Sequence, residues 1–300
     1  MNGGTRAHGY TIVEVLIFMA VSGLMFVVAA VFVNGKQANV EFKQGLYGIN
    51  SDIRTVINEV ADGRYQPLTY GGSRYSCRAP TTFPFFPIFL SSPKEQGTGG
   101  GIDGCVFLGK VLQFNVADRA PDNAKYVNIF TIVGRQNKPS TKNEAVTSFA
   151  DALPVPVVAS SSSPNLTITK QLEAGTELVG MFFCKDDPCT VPMRESISMI
   201  GFFGSFNKAL GTESGSAQSG SQTVTAAAIK TAVAGSVDTS TAAHDIKTST
   251  HSLTTAEMLG SGNYALLCLR NGTKKGAISI GGRNGQQFST QVQIGVVPGC

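Results

Sequence analysis

Histidine is scarce in this chain. Its 300 residues hold three, His8, His244 and His251. None is placed beside a nucleophilic side chain as a general base must be, so imidazole-driven acyl transfer has no starting point. Charge is thin as well: Asp, Glu, Lys and Arg make up 15 %, where a quarter is usual. The net charge of +4 is too small to indicate nucleic-acid binding from composition. Phosphate-binding loops are lacking too. Gly99, Gly101 and Gly104 satisfy G-x-G-x-x-G, but a loop precedes them and a strand-like run follows, the reverse of what a dinucleotide site needs. Gly104 to Lys110 imitates a P-loop, yet Val111 stands where a Ser or Thr must reach magnesium. No cluster of catalytic polar residues emerges. The expectation is a non-enzyme with no cofactor and no metal.

What the chain does have is a hydrophobic run near its start. Val15 to Val33 is almost unbroken, 19 residues, enough to cross a hydrocarbon core as a helix. A carboxylate, Glu14, sits at its mouth. A charge inside a spanning helix costs roughly 2.5–3.5 kcal/mol on insertion scales, so Glu14 asks for a partner. A cut after Gly9 would expose an amine on Tyr10, with Glu14 four residues along on the same helical face. In a bundle of such helices, the carboxylate of one copy neutralises the amine of its neighbour. Mismatched registers would leave buried charges unpaired. Arg6 on the short side predicts a cytoplasmic N-terminus. An ordinary signal peptide is the poorer reading, because the run is longer than 7–15 residues and no small-x-small cleavage site ends it. A simple membrane anchor, with Glu14 at the interface, remains the alternative.

The stretch Gly9-Tyr10-Thr11-Ile12-Val13-Glu14 resembles the class III leader of the type IV pilin family, which includes the pseudopilins of type II secretion. A short leader ends in Gly9, an aromatic opens the mature chain at Tyr10, and Gly23 falls where members often carry glycine. The resemblance spans about residues 9–35. The helix proline of many pilins is absent, and Val31 stands there. The resemblance implies cleavage after Gly9 and N-methylation of Tyr10 by a prepilin peptidase. It also implies Glu14-guided assembly with other pilin subunits by membrane-bound pilus machinery, moving the chain from the cytoplasmic membrane to a surface filament. The expected fold is α+β: a long N-terminal helix on a β-rich antiparallel-sheet domain. A mature chain near 290 residues is large for a major pilin and suggests a minor or adhesive one. A pseudopilin, or an anchored extracellular binding protein that never polymerises, is the alternative.

Six cysteines, Cys77, Cys105, Cys184, Cys189, Cys268 and Cys300, all follow the apolar run. An even number on the exported side reads as three disulfides, with fifteen connectivities open. Sequential pairing, Cys77–Cys105, Cys184–Cys189 and Cys268–Cys300, is one of them. Zinc at Cys184 and Cys189 is a weak competitor, and so is calcium at Asp186 and Asp187. The family commonly closes a C-terminal loop with a disulfide, which favours Cys268–Cys300.

Along the chain, residues 1–9 read as leader and 10–62 as one helix whose membrane half is 10–34. Leu46, Ile49, Ile53, Val56, Ile57 and Val60 recur at three- and four-residue spacing, and Asp62-Gly63 is a stop. Gly35, Gly45 and Gly48 are weak points, with a kink expected near Gly35 if anywhere. Residues 63–300 read as a β-rich extracellular domain. Strands are expected at Val106–Val116, Tyr126–Val133, Leu166–Thr169, Glu177–Phe183, Ser196–Phe203, Tyr264–Arg270, Ala277–Ile280 and Phe288–Ile294. Asn271-Gly272 marks a hairpin. The apolar loop Phe83–Phe89 reads as tucked under the sheet, with an exposed subunit or ligand contact patch as the alternative, and Pro154–Pro164 as a linker or surface loop. Residues 211–252, rich in Gly, Ser, Thr and Ala, read as a flexible insertion with a short helix at Ala226–Ala234. Late cations, Arg270, Lys274, Lys275 and Arg283 against Glu257, read first as an ordinary solvated turn face, with a contact for DNA or another anionic surface as the alternative.

Overall fold

A computed structural model describes residues 11–62, 69–70, 73–74, 76–78, 89–91, 105–135, 146, 149–158, 167–185, 189, 194–204, 224–229, 237–251, 258–259, 262–281 and 289–300. One helix dominates. Helix α1 (Ile12–Ala61) runs for 50 residues, about 75 Å at 1.5 Å per residue. Thr11 caps it, and Asp62 ends it by donating its N–H to the Asn58 carbonyl. The helix passes through Gly35, Gly45 and Gly48 without a break. Its second half buries one stripe, Phe42, Leu46, Ile49, Ile53, Val56 and Val60, with Ile57 half-buried at the margin. The four–three–four–three spacing keeps that stripe on one side of a 3.6-residue helix.

The strands are β1 (Thr69–Tyr70), β2 (Ser73–Arg74), β3 (Ser76–Arg78), β4 (Phe89–Ser91), β5 (Cys105–Phe114), β6 (Tyr126–Arg135), β7 (Val155–Pro156) and β8 (Ile168–Gln171). They continue with β9 (Glu177–Cys184), β10 (Arg194–Ser196), β11 (Met199–Phe203), β12 (Thr225–Ile229), β13 (Met258–Leu259), β14 (Tyr264–Asn271), β15 (Lys274–Gly281) and β16 (Ser289–Ile294). Short helices α2 (Phe149–Ala152) and α3 (Thr239–His251) complete the set. Two antiparallel sheets carry the domain. One has the order β10-β9-β14-β15-β16, the other β13-β12-β11-β5-β6-β7, with β8 also on β6. The chain is therefore α+β, a long apolar helix with antiparallel sheets.

Both sheets turn one face to α1. Ala265, Leu267 and Leu269 of β14, with Ile278 and Ile280 of β15, join Ile200 and Phe202 of β11 in the core beneath the helix. The opposite residues of β14, Tyr264, Leu266 and Cys268, pack under the C-terminal segment with Val297. With both faces covered, β14 reads as the unbroken apolar run YALLCL rather than as an alternation. The larger sheet is covered behind by α2 and α3, where Phe130, Ile132, Met199 and Phe203 meet Ala242 and Ile246.

Two expectations are corrected. The run Ser196–Phe203 is not one strand. It changes sheets at Ile197-Ser198: Ile197 N–H donates to Met181 O at 2.9 Å in one sheet, and Phe114 N–H donates to Ser198 O at 3.1 Å in the other. Inside the alanine-rich stretch, Thr225–Ile229 is a strand rather than the expected helix, placed between β11 and β13. Alanine's helix propensity is outweighed because small side chains fit between the core shared with α1 on one face, through Ala226 and Ala228, and the layer of α3 on the other, through Ala227. The helix of this region is instead α3. Asp238 caps it, its Oδ1 accepting from Thr241 N–H at 2.8 Å and from the Ser240 hydroxyl at 2.6 Å.

Candidate functional site: the uncovered half of the N-terminal helix

Thr11 and Glu14 form a reciprocal cap. Glu14 N–H donates to Thr11 Oγ1 at 3.3 Å, and Thr11 N–H donates to Glu14 Oε2 at 3.4 Å. Two of the helix's orphan amides are thereby satisfied where the chain meets its apolar run. The carboxylate also faces the positive end of the helix dipole. The T-x-x-E pattern ahead of an apolar run was visible in the sequence as a capping signal. Reading Glu14 only as an ion-pair partner passes over this local role.

Behind the cap, the first half of α1 is covered by none of the described residues. Fifteen large apolar side chains from Ile12 to Phe32 are exposed. Fully burying such a side chain is worth roughly 1.5–3 kcal/mol, so leaving this half-helix in water forgoes more than about 20 kcal/mol. That exceeds the net stability of a typical domain, about 5–15 kcal/mol. The segment therefore needs lipid or other helices around it. By length and composition it is able to span a membrane.

The other half is clamped to the domain by polar contacts as well as by its stripe. Lys110, in the middle of β5, is buried and donates to Glu59 Oε2. Lys170 of β8 pairs with Asp52 at 2.5 Å. Arg54 donates from Nε to Thr290 Oγ1 at 2.8 Å and from Nη2 to Thr290 O at 3.2 Å. Glu59 and Asp52 thus reach the larger sheet and Arg54 the smaller one. Spacing along the sequence gave no hint of these partners, which lie 51 to 236 residues apart.

Of the expected site residues, Gly9 and Tyr10 lie outside the described residues, as do Asp186, Asp187, Arg283, Glu257, His8 and residues 83–88. Cys184 is bonded to Cys189 and Cys268 to Cys300, so the zinc alternative at the first pair gives way to a disulfide. Cys77 sits on β3 and Cys105 at the start of β5, but their side chains lie outside what is described. The P-loop look-alike is a strand: β5 begins at Cys105, and Lys110 is committed to Glu59. His244 is exposed on α3. Among the described residues no group of three His, Cys, Asp or Glu side chains is arranged to hold a metal. Arg270 is paired with Glu177 at 3.2 Å. Comparison of the chain with protein-family models, curated proteins and solved structures finds no match.

Proposed function

We propose that this chain is a type IV pilin-like subunit, processed after Gly9 by a prepilin peptidase and assembled through its N-terminal helix into a surface filament. The observation that carries the reading is the combination at the start of α1. A G-Y-T-I-V-E stretch leads into a capped apolar half-helix that none of the described residues covers, continuous with a half docked on antiparallel sheets. Before assembly, lipid covers Ile12 to Phe32. In a filament, the same side chains pack against other subunits, so transfer exchanges one apolar environment for another at little cost. Glu14 then supplies direction, exchanging its local cap for the amine of a neighbouring Tyr10, and a wrong register leaves a buried charge. The role is assembly and not catalysis, with a minor or adhesive subunit favoured by the size of the domain.

The competing reading is a plain anchor, and the Thr11–Glu14 cap gives it a specific basis, since that carboxylate already has partners within its own chain. Mass spectrometry of the N-terminus in sheared filaments and in membranes separates the two. A peptide beginning at methylated Tyr10 in the filament fraction is the expected result, and Glu14→Gln should abolish filament incorporation while leaving the membrane pool intact. An unprocessed Met1 terminus in every fraction, or normal behaviour of Glu14→Gln, would overturn the pilin reading in favour of the anchor.

A further inference from the structure

Where α1 enters the domain, its Asn39–Lys43 segment forms one wall of a cleft of about 310 Å³. The other walls come from the tip of the β14–β15 hairpin, with Lys274 and Lys275, and from the chain leaving β16, with Ile294 and Val296. Val296 is 99 % exposed. This is the end of the domain nearest the apolar run. Asn39 follows Val33 by six residues, about 9 Å along the axis, and the headgroup layer beyond the hydrocarbon core is roughly 5–7 Å deep. A lysine on its four-carbon stem bridges the difference. Lys36, whose ammonium lies 5.3 Å from the Phe32 ring centroid, stands within the headgroup layer itself.

The charges on this end favour an anion. Lys43, Lys274 and Lys275 form no ion pair among the described residues. Opposing them are Glu41, which accepts from Gln37 Nε2 at 2.9 Å, and Glu173 on the turn beside Gly48. Glu177 is offset by Arg270 and Lys125. With Lys36 included, four ammonium groups face two carboxylates.

We propose that this cleft seats the phosphate of an anionic phospholipid in the leaflet from which α1 emerges, holding the domain against the membrane surface. Lys43, Lys274 and Lys275 bind the phosphate, while Ile294 and Val296 meet the apolar part of the interface. The inference rests on the membrane-spanning reading of α1 and is independent of filament assembly.

The test uses the full chain, purified in neutral detergent and offered an equimolar mixture of phosphatidylglycerol and phosphatidylcholine, with retained lipid counted by native mass spectrometry. Each lysine near an anionic lipid surface contributes roughly fivefold in binding. Four lysines against two carboxylates leave two net cations, so an enrichment of phosphatidylglycerol of about 25-fold is expected. Lys43→Gln/Lys274→Gln/Lys275→Gln, or the single reversal Lys275→Glu, should reduce it to about twofold or less without changing the circular-dichroism melt, and high salt should do the same. Lys185→Gln should have no effect, because Lys185 follows the far end of β9, about 23 Å away at 3.3 Å per residue. Equal retention of both lipids, or enrichment that survives the triple substitution, overturns the proposal. Displacement of the lipid by millimolar inorganic phosphate overturns the lipid as the source of the phosphate. A chain that fails to enter membranes at all removes the spanning reading as well, whereas one that inserts and shows no lipid preference removes this inference alone.

Discussion

Two glycines three residues apart on α1 should respond to the same substitution with opposite signs. At both positions Gly→Ala removes a helix-interior glycine, a gain of about 1 kcal/mol. At Gly45 the added Cβ would lie 2.5 Å from Thr176 Oγ1, 3.0 Å from the Glu173 carbonyl oxygen and 3.3 Å from the Ala174 Cβ. That wall is the turn joining β8 to β9, met through one carbonyl oxygen and two short side chains, and the turn is held by Asn271 Nδ2 donating to Ala174 O at 2.6 Å. It has little freedom to retreat, and overpacking of this kind costs about 1–3 kcal/mol. The net expectation for Gly45→Ala is a loss of about 1 kcal/mol. At Gly48 the obstruction is the carboxylate end of Glu173, with Oε2 at 2.0 Å. Glu173 is exposed, so its side chain can swing into solvent, and Gly48→Ala should gain about 1 kcal/mol. The two variants differ by about 2 kcal/mol, or roughly 4–8 °C in Tm, measured by circular dichroism on the full chain in detergent. The Thr176 hydroxyl is buried and has no hydrogen-bond partner among the described residues. Thr176→Ala should therefore cost little alone and recover part of the Gly45→Ala loss in a double-mutant cycle. If Gly45→Ala proves as stable as Gly48→Ala, the reasoning from close approach is wrong.

Loop length separates the two disulfides. Cross-linking Cys268 to Cys300 closes a separation of 32 residues and Cys184 to Cys189 one of five. The chain-entropy relation gives about 3.7 and 2 kcal/mol respectively, so urea unfolding should show a larger loss for Cys268→Ser/Cys300→Ser, and the reverse order would contradict it. Glu59→Gln leaves the ammonium of the buried Lys110 without its partner. With Glu59 itself 39 % exposed, the cost should be about 2 kcal/mol, below the 3–5 of a fully buried pair, and Glu59→Gln/Lys110→Met should regain most of it in the same assay. The hydroxyl of Ser240 and the N–H of Thr241 hold the Asp238 carboxyl down at about 2 from its usual 3.8. A depressed folded pKa means that the stabilisation is complete above pH 3.8 and lost as pH falls towards 2. Amide protection in the first turn of α3, taken relative to the intrinsic exchange rate at each pH, should fall across that window and remain flat above it, and Asp238→Asn should remove the dependence.

Hydrophobic patterning made most of the architecture legible. The stripe from Leu46 to Val60, the stop at Asp62 and the apolar, β-branched runs of β5, β6, β9 and β14 each carry a period or a composition that points to one kind of element. Asn271-Gly272 marked the hairpin, and Gly272 takes φ 55° at the turn. Where local pattern and structure differ, the deciding contacts are remote. Nothing within Arg194–Phe203 says that its two halves belong to different sheets, since the break at Ile197-Ser198 depends on Met181 and Phe114. Nothing within Thr225–Ile229 says that packed cores will cover both of its faces and leave room for little more than alanine over most of it.

The sequence by itself determined that an apolar helix opens the chain, because 19 consecutive residues suited to a hydrocarbon environment need no tertiary partner to declare themselves. It also determined the cap, since Thr11 and Glu14 lie within one turn of each other. Tertiary structure alone decided how the rest of the helix is held. Glu59 finds Lys110, Asp52 finds Lys170 and Arg54 finds Thr290 only after two sheets have formed, and Lys43 meets Lys274 and Lys275 only once a hairpin is folded beside it. The division follows from range. Helix periodicity and capping are written in residues three and four apart, whereas ion pairs and clefts depend on distances that chain separation does not encode.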